Sequence, residues 1–424
     1  MSHAHLALIE DAAPQVTAAA VSRPVKAVST GVELAIYHDL AAVEPVWRSV
    51  QEHGVCTPFQ SFEWLSAWQR HIGALAGVTP CIVVARNSEG APLFILPLAV
   101  QARGFIRELT WLGSDLCDYN APLLAPGYSA SVDFVSLWQR IVAQLQADPR
   151  SRHDLVRLEK MPPVIGEQPN PMVALPANLN PSGSYVTKLG TNWDEFYAAK
   201  RSSSTRRRDR SKRKHLGEFG EVKFVSADDS AKVLDTFAVL VEQKTRTFER
   251  HGIRNLFSRP GYLEFYRSVA GDPHNRDFVH VSRLDVGNQV AATNLGLVFK
   301  GRYYHVLASY TDNELSRRGP GAAHLNDLLR YAIERGLSVF DFTIGDERYK
   351  RDWCDEVQSL HDYVAVASWR GMASAGPAIL LTRLKRTIKQ TPMLWAMVVK
   401  ARALMASFRK SGAPEAVEPD SDAK

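Results

Sequence analysis

Apolar and polar residues form a string of short periodic blocks between residues 32 and 370. VELAIY (32–37) alternates as a strand does, while 40–52 and 61–72 place apolar residues every three to four positions, as helices do. The second of these helices opens on Ser61, a side chain suited to capping a helix N-terminus. Three strand-like runs follow at 79–86, 92–100 and 106–113, and the link from Asn87 to Gly90 suits a hairpin. An amphipathic helix over 133–145 and a strand over 153–160 close the first half. Residues 161–183 are rich in Pro, Asn and Gly and read as a crossing between domains.

The second half repeats a similar order. A basic helical stretch at 192–216 leads to a strand at 221–227, helices at about 229–250 and 259–270, and strands at 276–287, 289–300 and 301–310. A helix at 321–335 and strands at 338–344 and 361–370 complete it. A hairpin meander followed by a strand–helix–strand crossover predicts a mixed α/β fold with largely antiparallel sheets and flanking helices. The expected organisation is a flexible leader (1–30), two domains (31–183 and 184–372), a basic amphipathic helical tail (373–410) and a disordered C-terminus (411–424).

Charge sharpens this picture. The chain has 424 residues and a formal charge of +6, but the run 200–214 holds nine Lys/Arg against Asp209 alone. Between Arg383 and Lys410 there are eight Lys/Arg and no acid, so the remainder of the chain is mildly acidic. That distribution fits local anionic contacts and argues against a broad nucleic-acid surface. The tail's apolar positions, Leu380, Leu381, Leu384 and Ile388, alternate with Arg383, Arg386 and Lys389. Such a helix lies on an anionic membrane surface, docks on a partner or packs on the body's own core. Four widely spaced cysteines point to a reduced, cytoplasmic setting, with the tail allowing a peripheral place at the inner face of the cell membrane. No run of about 18 apolar residues predicts a transmembrane helix. The histidines are scattered, and no metal site is expected.

Two stretches carry candidate chemistry. In SRRGPGAAHLNDLL, which begins at Ser316, a glycine-containing loop opens a helix after the strand YYHVLASY. Backbone amides of a helix N-terminus favour an anion; Gly319 and Gly321 allow close approach, and Arg317 and Arg318 can reach phosphate oxygens. Neither a Walker loop nor a dinucleotide fingerprint is present. In FDFTIGDERYKRDW (340–353), Asp341 sits between two phenylalanines, a costly place for an acid without hydrogen bonds. Asp346, Glu347, Tyr349 and Lys350 then crowd into five residues at the strand's end. In the first half, LGSDLCDYNAPLL offers Asp118 and Tyr119 in a loop, as acceptor-binding groups or as structure. The 200–214 run is either a phosphate grip or a solvated basic helix.

The meander, the Arg/Gly loop, the helix and the polar loop after FDFTI together resemble the acetyl-CoA-binding core of the GNAT acyltransferase superfamily. More closely, residues from about 30 to 370 resemble the cellulose-biosynthesis (CelD-type) acetyltransferase-like family, related to Fem aminoacyltransferases. PFQSFEWLSAW, the basic run before HLGEFGEVKF, Lys244, SRRGPGAAHLNDLL and FDFTIGDERYKRDW carry the resemblance.

It implies two tandem GNAT-like domains and an acyl-CoA-dependent N- or O-acyltransferase. Acetyl-CoA would be the donor, with no metal, and a sugar, lipid-linked sugar or amine the acceptor, in bacterial exopolysaccharide synthesis. Val306, Leu307 and Ala308 would lie along the donor, and Arg317, Arg318, Gly319, Gly321 and Ala322 would hold its pyrophosphate. Asp341 or Glu347 would be the base, Tyr349 the acid, and Lys350 would orient an anionic acceptor. Asp118, Tyr119, Lys244 and Arg206 would bind substrate. GNAT loops usually begin with Gln or Arg where this chain has Ser316. A Fem-like enzyme using aminoacyl-tRNA, and a degenerate GNAT protein binding a nucleotide or lipid phosphate within a polysaccharide assembly complex, are the alternatives. Only the former would engage nucleic acid.

Overall fold

The computed structural model describes residues 31–128 and 133–374. The expected leader, nearly all of the basic tail and the C-terminal segment lie outside the described residues. The first half runs β1 (Glu33–Tyr37), α1 (Leu40–His53), α2 (Phe62–Trp68), β2 (Thr79–Arg86), β3 (Pro92–Arg103), β4 (Ile106–Trp111), the two-residue β5 (Leu123–Leu124), α3 (Phe134–Ala147) and β6 (Leu155–Met161). A small hairpin of β7 (Val164–Ile165) and β8 (Gln168–Pro169) leads into β9 (Asn178–Lys188). Then come α4 (Trp193–Lys200), α5 (Ser203–Gly217), β10 (Val222–Ser226), α6 (Ser230–Arg250), α7 (Tyr262–Gly271), β11 (Val279–Val286), β12 (Gln289–Phe299) and β13 (Arg302–Tyr310). The chain closes with α8 (Pro320–Glu334), β14 (Val339–Ile344), the single turn α9 (Arg348–Arg351) and β15 (Glu356–Val366).

Thirteen strands form one sheet, in the order β1-β2-β3-β4-β6-β15-β9-β14-β13-β12-β11-β10, with β5 on β3. Each half is an antiparallel meander whose last strand joins in parallel, β4 with β6 and β13 with β14. The halves are then laced together. β9, which follows the first half, pairs with β14 of the second, and β15, which follows the second, pairs with β6 of the first. β9 and β15 pair with each other at the centre. The expected boundary at 183/184 thus falls inside a strand, and residues expected as a crossing supply much of it. Asn178, Asn180, Pro181 and Gly183 disfavour strand on their own. Neighbours on both sides impose the extended form, and Pro181 falls where the pairing with β15 slips.

Alternate strand positions feed cores on opposite faces. On one face α1, α2, α6 and α7 share a single core with Ile82, Val84, Ile95, Val281 and Leu295, so helices of both halves are packed together. Trp64 of α2 meets Phe265 of α7 edge-on at 4.9 Å, and both are fully buried. On the other face α3 covers Val83, Phe94, Leu96 and Leu98 of the first half, while α8 and α4 cover Tyr303, Phe340 and Phe342 of the second. Among the described residues no helix is long and apolar enough to cross a membrane.

Candidate functional site: a cleft between β13 and β14

β13 and β14 pair only from Arg302–Tyr304 against Val339–Asp341, and the ladder ends there. Two irregularities accompany the end of pairing. β13 carries an extra residue opposite Leu295/Gly296, which bulges Val306. β14 slips against β9 between Asp341 and Ile344, and within the slip Thr343 has φ 60°, a left-handed conformation costly for a β-branched residue.

Asp341 holds this kink. It is 2% exposed, and its Oδ1 accepts from the amide of Thr343 at 2.8 Å and from the Tyr119 hydroxyl at 2.6 Å. The Arg302 guanidinium lies 3.6 Å from Oδ2. Burial pushes the Asp341 carboxyl above its usual range, opposed by the Tyr119 hydrogen bond and Arg302. Thr343 in turn donates through Oγ1 to the carbonyl of His305 at 3.2 Å.

The space beside the kink is a cavity of about 700 Å³. Ala308, Ser309 and Tyr310 of β13 line one wall, and Gly319, Gly321 and Ala322 line the end at α8. Gly319 is left-handed at φ 73°, Pro320 takes the first turn, and no side chain caps the helix. The first-turn amides of Gly321 and Ala322 lack an intrahelical acceptor, so this end of the cavity favours an anion. A Cβ on Gly321 would lie 3.1 Å from the Tyr310 ring, so the glycine keeps the approach open.

The cations at this end come from α5. Arg208 and Lys212, one turn apart, line the cavity, and neither has a carboxylate partner among the described residues. α5 has the composition of a solvated helix, but three anchors dock it. Arg213 pairs with Asp327 of α8 at 2.8 Å, Leu216 is fully buried, and the preceding Arg201 pairs with Asp352 at 3.3 Å while lying over the Trp353 ring. Arg317 and Arg318, expected to grip phosphate, sit exposed on a short 3₁₀ turn and do not line the cavity. That turn uses Arg318 to lead into the left-handed Gly319. Ser316 does line the cavity.

At the other end stand Lys244, His305, Glu347 and Tyr349. The Lys244 ammonium donates to the carbonyl of Ala308 at 3.0 Å, and desolvation lowers its pKa. Glu347 pairs with Lys350 at 3.0 Å. Lys350 is itself buried and donates to the carbonyl of Ile344 at 2.9 Å, so it braces the loop from Gly345 to Glu347. The His305 ring is pushed down to about 3 by burial, reinforced by Lys350 and Lys244, and so is neutral.

The structure therefore brings together Ala308, Gly319, Gly321, Ala322, Lys244, Glu347 and Tyr349. Val306, Leu307, Arg206 and Asp341 do not line the cavity, nor do the first-half residues Asp118 and Tyr119, which pack behind it against β14. His305, Arg208 and Lys212 were not singled out from the sequence. His305 had a signal, a lone histidine inside a strand made largely of aromatic and apolar residues. Lys212 and Arg208 were hidden within a run of nine cations whose docking depends on residues a hundred positions away. Among the described residues no cluster of His, Cys, Asp or Glu could hold a metal ion.

The open helix end, the bulged strand and the splayed parallel pair can hold an extended anionic ligand with its reactive end near Lys244 and Glu347. Residues 203–351 match the family model described as acetyltransferase (GNAT) domain. This part of the chain is therefore similar to a GNAT domain. The chain is similar to the solved structure of FemX, at 11% identity and a TM-score of 0.54, over 76% of this chain and 96% of that one. It is also similar to a conserved protein of unknown function from Bacteroides thetaiotaomicron (10%, TM-score 0.48, 79% and 100%). A third similar structure is the C-terminal domain of a putative lysylphosphatidylglycerol synthetase from Agrobacterium fabrum (10%, TM-score 0.48, 80% and 97%). A search of curated proteins finds no significant match. Over residues 203–351 the fold is GNAT-like, and the fold likeness to FemX covers most of the chain.

Proposed function

We propose that the protein transfers an acyl group from coenzyme A to an amine or hydroxyl acceptor, with the second half as the reaction site. The observation that carries this reading is the uncapped N-terminus of α8 with Arg208 and Lys212 beside it at the same end of the cavity. It supplies amides and cations to a pyrophosphate, and the residues present fit that group. The acyl end then lies along Ala308 and Ser309, where backbone amides next to the bulge hold the carbonyl oxygen as charge develops on it.

Glu347 is the carboxylate that takes the acceptor's proton, since Asp341 is committed to Tyr119 and Thr343. Tyr349, protonated at neutral pH, returns a proton to the departing sulfur. Lys244 offers a positive charge to the same atom or to an anionic acceptor, a role that Lys350, spent on Glu347 and Ile344, fills less directly.

Acetyl is the acyl group we favour. The resemblance read from the sequence supports a sugar or amino acceptor in exopolysaccharide synthesis, at the cytoplasmic side of the membrane with the basic tail as the contact. Calorimetry with acetyl-CoA tests the core of the reading: saturable binding supports it, and no binding at millimolar acetyl-CoA overturns it. The fold likeness to FemX and the cations of α5 favour one second reading, an aminoacyl-tRNA donor. It would show as protection of charged tRNA from hydrolysis.

A further inference from the structure

The kink in β14 is fixed from the other half of the molecule. Tyr119 lies in the loop after β4, 222 positions from Asp341, yet its hydroxyl donates to Asp341 Oδ1 at 2.6 Å. The same oxygen accepts from the amide of Thr343, and Thr343 Oγ1 reaches the backbone of His305 on β13. Thr343 gains no relief from its own backbone at φ 60°, so the surroundings must impose that conformation. The Tyr119 ring is itself locked, packed edge-on against Phe59 at 5.7 Å, with Phe59 in turn against Tyr304 at 6.1 Å. A single connected path therefore runs from a first-half loop to the strand pair that opens the cleft.

We infer that Tyr119, Asp341 and Thr343 are positioning residues: the first half sets the splay of β13 and β14 and the placement of His305 in the second half's cleft. This rests on the acyl-CoA reading of the cavity. In this role Asp341 serves as a hydrogen-bond acceptor for two donors, and its charge and its proton take no part in the transfer. An amide oxygen can do the same work, which separates this role from that of a general base.

The test uses the full chain, acetyl-CoA as donor and hydroxylamine as nucleophile, and reads released thiol. Asp341→Asn, which keeps the acceptor oxygen, is expected to stay within about threefold of wild type. Asp341→Ala loses about a hundredfold in kcat, and Tyr119→Phe about tenfold, because small misplacements of reacting groups are that costly. KM for acetyl-CoA moves less than about threefold in Tyr119→Phe, because the α8 end that grips the donor is untouched. Thermal melting of each variant shows whether it is folded.

If Asp341→Asn is as inactive as Asp341→Ala while folded, the carboxylate itself is needed and the inference is wrong. Full activity in Asp341→Ala and Tyr119→Phe also overturns it. A wild-type chain that neither binds coenzyme A nor releases thiol instead overturns the donor reading, and the positioning role with it.

Discussion

The two halves share one plan and differ at one end. Each runs strand, two helices, three antiparallel strands, helix and parallel strand. Each parallel strand slips against its next neighbour over an equivalent four-residue stretch, Leu158 to Met161 in β6 and Asp341 to Ile344 in β14. Each slip contains a left-handed residue that is not glycine, Lys160 at φ 60° and Thr343 at φ 60°. The helix ends are where they part. In the first half Asp133 caps α3, accepting from the amide of Ser136 at 3.2 Å and from its hydroxyl at 2.5 Å, so a carboxylate already occupies the anion seat. The Lys160 ammonium is spent on the carbonyls of Ser114 and Cys117, which draws the loop after β4 into the space beside β6. In the second half α8 has no cap and the cleft stays open. The two halves share a scaffold, and among the described residues the cleft beside the parallel strand is filled by the chain in the first half and open in the second. The closed half keeps a task, because its loop carries Tyr119 to Asp341.

Closing the open end should have the largest effect. Gly321→Glu places a carboxylate among the α8 amides and beside Tyr310, and coenzyme A affinity is expected to fall by more than about a hundredfold by calorimetry. The counterpart, Asp133→Ala, opens the other helix end; it costs about 1 kcal/mol of stability by denaturant unfolding and leaves coenzyme A binding unchanged. Glu347→Gln is expected to lower kcat by about a hundredfold with little change in donor KM, read by thiol release.

Acid should separate the halves next. His280, His305 and His324 are buried in the second half, and desolvation lowers each to about 3. An unfolded histidine titrates near 6.5, so unfolding takes up protons between these values. Stability is therefore complete above about pH 6.5 and is lost as pH falls toward 3. Tryptophan and histidine probes should report the second half loosening first as pH drops from 7 to 5, because among the described residues the first half holds one comparably buried ring, His153, also lowered by burial. The smallest effect belongs to α5. Arg208→Gln and Lys212→Gln should each weaken coenzyme A binding by about three- to tenfold, and each should flatten its salt dependence.

Much of this plan is legible in the sequence, because amphipathic runs and turn residues mark the repeated elements without reference to the rest of the chain. The lacing strand β9 is not. Its Pro, Gly and Asn residues spell a linker, and only pairing on both sides makes it a strand. The site divides the same way. Gly319 and Gly321 announce an open helix start, and Asp341 stands out as an acid between phenylalanines. Its partner Tyr119 and the docking of Arg208 and Lys212 depend on contacts between distant segments, which no local pattern encodes.

The central claim, one open cleft and one that the chain has filled itself, is tested most directly by the stoichiometry of coenzyme A binding to the full chain in a calorimeter. One equivalent per chain, abolished in Gly321→Glu and retained in Asp133→Ala, is the expected result. Two equivalents, or binding that survives Gly321→Glu, would contradict it.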